Sequence, residues 1–157
     1  MRLAFIFLAS IGLGSCFLST TAPEDQALRG ALIAEIQEAA DGDTIDLGMA
    51  LGSGWDRLVV LAPYAANKSA EDLLGFAFPV EQLSPWTYTE GGAVIVIADG
   101  RRLVAWFGLA SVNGGLDCLS SDIYRSDTKF TVLEEDDGHR ELALRGRFEC
   151  SHLFGPD

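Results

Sequence analysis

The chain has 157 residues and a formal net charge of −12, from 23 acidic against 11 basic side chains. So acidic a body is repelled by nucleic acid and by anionic lipid headgroups, which excludes nucleic-acid binding and a basic membrane-contact surface. The length suits one domain built around a single core.

The first segment reads as an address. Met1-Arg2 supplies a positive charge, the residues from Leu3 to Gly12 are apolar, and Leu13-Gly14-Ser15-Cys16 follows. A basic start, an apolar stretch and small residues before a cut site make a secretory signal. The stretch falls short of the roughly 20 residues of a comfortable membrane span. A cut after Ala22 is disfavoured by Pro23 directly beyond it. Leu-Gly-Ser-Cys resembles the lipobox of bacterial lipoproteins, which implies cleavage before Cys16 and acylation of Cys16 by several palmitate-type chains. Two or more chains anchor stably where one does not. The competing reading is an uncleaved anchor helix with Cys16 as an ordinary thiol. The expected organisation is a signal peptide over 1–15, a lipidated tether over 16–24 and one domain over 25–157. Loss of the signal removes only Arg2, which makes the mature charge one unit more negative than −12.

A helix is predicted to begin near Glu24 or Asp25, because acidic groups favour the positive end of the helix dipole. Leu28, Leu32, Ile36 and Ala39 recur at helical spacing, with Ile33 and Ala40 beside them, and Asp41-Gly42-Asp43 ends the run. Thr44 to Leu47 is a weak strand candidate, and Gly52-Ser53-Gly54 a flexible joint. Arg57 to Ala62, between Trp55-Asp56 and Pro63-Tyr64, suits a strand buried on both faces. Ser69 is expected to cap a brief helix through Leu74, with Gly75 as its stop. Residues 76–89 read as a loop entering a sheet.

Beyond Gly91 the pattern sharpens. The strand Ala93–Ala98, the turn Asp99-Gly100 and the strand Arg101–Leu109 read as a tight hairpin, apolar on both faces and expected at the centre of the sheet. A second hairpin joins Lys129–Glu134 to Arg140–Cys150 through Asp136-Asp137-Gly138. Its alternation puts Leu142, Leu144, Phe148 and Cys150 on one dry face. With Cys16 acylated, Cys118 and Cys150 remain in an oxidising compartment, where a disulfide is expected. Closing a loop of about 30 residues would contribute about 3–4 kcal/mol in the chain-entropy picture. A metal site of Cys118, Cys150 and His152 is a poor match to zinc spacings, so no metal and no cofactor are expected. The predicted fold class is α+β, with two helices packed on one face of a mainly antiparallel sheet of four to six strands.

Trp55-Asp56, Pro63-Tyr64 and Leu74-Gly75 together resemble a set of short, uncharacterised bacterial lipoproteins and secreted proteins, over roughly residues 28–80. That resemblance brings no activity. Trp55 is expected to anchor the entrance of the strand, Asp56 to cap or pair, Pro63 to end the ladder and Tyr64 to bury its ring. The alternative is a ligand groove of Trp55, Asp56 and Tyr64. Ser69 to Gly75, Trp86-Thr87-Tyr88 and the hairpin through Asp99-Gly100 are also similar to outer-membrane assembly lipoproteins of the BamE/SmpA type and to β-lactamase-inhibitor-like modules. This resemblance implies a helix pair on a short sheet that contacts a partner protein. The chain departs from it in an extra strand region before Ser69 and in the long second hairpin.

Asp41-x-Asp43-x-x-Asp46 fails the calcium-loop test, since Ile45, Asp46 and Gly52 stand where the pattern needs a third ligand, glycine and glutamate. Glu134 to Asp137 reads as a charged turn. His139 in that turn and His152 near the end are poor candidates for a buried base, and no nucleophile elbow, zinc-protease helix or phosphate loop is present. The expected function is therefore non-enzymatic: a lipid-anchored cell-envelope protein facing the periplasm or the exterior. It is expected to bind another protein, with Trp86 and Tyr88 as candidate exposed anchors. A small-molecule or hydrolytic domain using the Trp55 groove is one alternative. An immunity-type or inhibitor protein is another.

Overall fold

The computed structural model describes residues 22–83, 86–88, 92–110, 123–134, 138 and 140–144. Helix α1 (Gln26–Glu38) begins where the acidic residues predicted. The Asp25 carboxylate accepts from the Ala27 and Leu28 amides, supplying partners for two N–H groups that lack one within the helix. At the other end the Arg140 guanidinium donates to the Ile36 and Gln37 carbonyls, which places a cation at the negative end of the dipole.

Strand β1 (Thr44–Asp46) runs straight into α2 (Leu47–Leu51), a five-residue helix where the sequence predicted only a strand and a joint. Asp46 caps α2 by accepting from Gly48 and Met49. Gly52 closes the helix at φ 76°, a conformation that favours glycine. Strand β2 (Arg57–Leu61) leads to α3 (Asn67–Leu74). This helix starts two residues before Ser69, so Ser69 lies inside it. Its cap comes from elsewhere, since Asn67 N donates to Glu81 Oε1 and Glu81 N donates to Asn67 Oδ1. Gly75 ends α3 in the left-handed conformation, as expected. Two short 3-10 turns, Val80–Gln82 and Trp86–Tyr88, follow in the stretch predicted as loop.

Strands β3 (Gly92–Asp99) and β4 (Arg102–Ala110) form the predicted hairpin, with β5 (Ile123–Tyr124), β6 (Lys129–Glu134) and β7 (Arg140–Leu144) after them. The fold is α+β, with helices packed against antiparallel sheets. The described strands divide between two sheets, one ordered β4-β3-β2-β5 and the other β1-β6-β7, and three helices accompany them. Strand β3 lies inside the larger sheet as expected, but β4 is its border among the described strands.

Period-two alternation sorts the central strands between two cores. Leu58, Val60, Ile95, Ile97 and Phe107 share one core with Leu32 and Ile36 of α1 and with Phe130, Val132 and Leu142 of the smaller sheet. Val59, Leu61, Val94, Val96 and Trp106 face the other core, with Ala70 and Leu74 of α3 and with Phe78, Val80 and Leu83. This explains why β2 and β3 are apolar throughout. No helix among the described residues is long and apolar enough to cross a membrane.

The expected disulfide needs correction. No disulfide bond is present among the described residues. Cys16, Cys118 and Cys150 all lie outside the described residues. The alternation that put Cys150 on a dry face does not hold where β7 is described, since the consecutive Leu142 and Ala143 are both buried. His139, His152 and the turn residues 135–137 also lie outside the described residues.

Candidate functional site

Trp55 is core. Only 7% of it is exposed, and its indole N–H donates to the Gly52 carbonyl at 2.9 Å, which satisfies the one polar atom of the ring. Asp56 continues the ladder by donating its amide to Ala98 O at 2.9 Å, and its carboxylate stands half-exposed 3.8 Å from Arg57. Tyr64 lies beyond the other end of β2. Five residues of strand separate Trp55-Asp56 from the Pro63-Tyr64 corner, about 16 Å. The structure therefore does not bring Trp55, Asp56 and Tyr64 into one groove.

Tyr64 also departs from its expected burial. It is 62% exposed, and its φ of 62° is the one positive value at a non-glycine position among the described residues. The left-handed region costs an ordinary side chain roughly 1–2 kcal/mol. An exposed ring recovers little of that by packing.

Trp86 and Tyr88 share a 3-10 turn but differ in surroundings. Tyr88 is 60% exposed, and its hydroxyl donates to the Glu81 carbonyl at 3.1 Å. Trp86 is half-buried rather than an exposed anchor. One face lies on the backbone of Gly108, where a Cβ would fall inside the volume of the indole. The Arg29 guanidinium stands 4.9 Å from its ring centroid, in cation–π geometry.

Beside this stack lies an arrangement that the sequence reading missed. The last residues of the expected tether are seated on the border of β4. Trp106 Nε1 donates to Ala22 O at 2.5 Å, Asp25 N donates to Trp106 O at 2.8 Å, and Gly108 N donates to Glu24 Oε1 at 2.9 Å. Backbone groups that a border strand would leave open are thus partnered by the chain's own N-terminal segment. Nothing local to residues 22–25 signals this, because the partners lie some 80 positions away.

The three aspartates weighed as calcium ligands each serve the backbone. Asp41 accepts from Glu134 N, Asp43 from Ala40 N, and Asp46 caps α2. Glu35, Glu38 and Asp43 line an open groove. Among the described residues no group of three His, Cys, Asp or Glu side chains is placed to hold a metal ion. The apolar space between Leu32, Leu58, Ile95, Phe130 and Leu142 measures about 10 Å³, near the least that admits a water molecule. On α3, a hydrogen bond and the charge of Asp72 hold the exposed Lys68 ammonium above the ordinary lysine value.

The chain matches no family model, and neither a curated protein nor a solved structure matches it. The resemblances to bacterial lipoproteins rest on the quoted residues alone.

Proposed function

We propose that this chain is a lipid-anchored protein of the bacterial cell envelope. It is fastened through Cys16, and its α+β domain faces the periplasm or the exterior and binds another protein without catalysis. The Leu-Gly-Ser-Cys motif supports the anchor. The binding role rests on Tyr64, an exposed aromatic ring held in the left-handed backbone region. Strain of this kind clusters at functional positions, and tyrosine is enriched at the centres of protein interfaces. Tyr88 supplies a second exposed ring with its hydroxyl already oriented. An immunity-type or inhibitor role would use the same surface.

Two experiments test the two halves of the proposal. Cys16→Ala is expected to move the protein from the membrane fraction to the soluble fraction and to abolish labelling by radioactive palmitate. Persistent labelling of the variant would refute the lipobox. Tyr64→Gly relieves the positive φ and is expected to stabilise the domain by about 1 kcal/mol in urea denaturation. The same change is expected to weaken partner capture from the native envelope at least about tenfold, the effect of losing about 1.4 kcal/mol of binding. Unchanged capture with raised stability would leave Tyr64 without a binding role.

A further inference from the structure

We infer that the β4 border, where the N-terminal segment is seated, is the side of the domain held against the lipid surface. The inference rests on the proposed acylation of Cys16 and deepens it.

Six residue steps separate Cys16 from Ala22, so even a fully extended chain spans at most about 20–22 Å. Ala22 is a fixed point, since its carbonyl is held by the Trp106 indole, and Glu24 and Asp25 bond to β4 directly after it. A domain of about 130 residues has a radius of gyration near 14 Å, hence a radius of about 18 Å as a sphere. Turning the seat to the far pole would require a path of about 55 Å around such a sphere, well over twice the chain that exists. The seat is therefore confined to the membrane-facing hemisphere, close to the stack of Arg29 on Trp86.

The net charge sets the character of this contact. The acidic body gains nothing by lying on anionic headgroups. The covalent stay holds the seat near the bilayer without adhesion, and the opposite side of the larger sheet, at β5 among the described strands, points outward. That outward side includes β5 and the nearby Met49, which is 84% exposed. Met49 belongs with the β5 side because its neighbour Gly48 packs against the Ser126 carbonyl, just past β5. Among the described strands, β4 and β5 are three strand spacings apart, about 14 Å.

A photo-reactive phenylalanine analogue placed at Ala27 or, separately, at Met49 tests this in the full-length protein in its native membrane. Both positions are exposed. Ala27, at the start of α1 beside the seat, is expected to yield lipid adducts at least about five-fold above Met49. A ten-residue Gly-Ser insertion between residues 21 and 22 more than doubles the reach of the stay and is expected to erase that difference. Equal yields without the insertion, a higher yield at Met49, or protein adducts in place of lipid adducts at Ala27 would overturn the orientation in a chain that carries palmitate label. A chain that takes up no palmitate and leaves the membrane fraction would overturn the anchor and this inference together.

Discussion

Trp55→Ala is expected to destabilise the domain by about 3–5 kcal/mol, read from the midpoint of urea denaturation at unchanged slope. The indole is buried in the core shared by both sheets and α1, so truncation removes its apolar area and leaves a cavity that rigid strands collapse poorly. It also removes the hydrogen bond from the indole N–H to the Gly52 carbonyl. The loss falls on stability, and captured partner should be unchanged per folded molecule. A fully stable Trp55→Ala protein with altered ligand binding would revive the groove that the separation of Trp55 from Tyr64 argues against.

Gly108→Val tests the other half of the molecule. Gly108 is bare because Trp86 lies on it, and any Cβ must displace the indole. Overpacking of this kind costs typically about 1–3 kcal/mol. Displacing Trp86 also breaks the Arg29 stack and disturbs the Gly108 amide bonded to Glu24, so the seat should loosen with it. Two signals should appear together: a red shift of tryptophan fluorescence, and faster proteolysis within residues 22–25. Trp86→Ala on top of Gly108→Val should recover part of the stability, because the clash partner is gone. A stable Gly108→Val protein with unaltered fluorescence would contradict the stack.

Local chemistry was legible wherever one residue decides the backbone. Asp25 before an apolar helical stripe, Gly75 after one, and Asp99-Gly100 between two apolar arms all mark what the structure contains. The twofold burial of β2 was legible too, because Arg57 to Leu61 offers no wet face after its first residue. Three features were not legible, each for a physical reason. Helix α2 is five residues long and carries its signal in Asp46, which also ends β1, so strand and cap compete for one position. The division into two sheets depends on Thr44 pairing with Thr131, and pairing across such a distance leaves no periodic trace. Tyr64 followed Pro63 at a corner, where a buried ring was the natural expectation. Its left-handed φ and exposure follow from how β2 turns toward α3, which residue type does not reveal.

The candidate site shows the same division. Trp55 could be assigned to the core from its place before an apolar strand, and Tyr88 to the surface. The distinction between Trp86 and Tyr88 could not be drawn, because it depends on Gly108 and Arg29 arriving from distant elements. Likewise, the tether could be counted in residues, but its last few residues could not be seen to be seated.

Mass spectrometry of the N-terminal peptide, from protein extracted out of its own membranes, tests the core claim most directly. A peptide that starts at Cys16 and carries the added mass of acyl chains is the predicted result. An unmodified peptide still beginning at Met1, from a chain recovered in the soluble fraction, would contradict it.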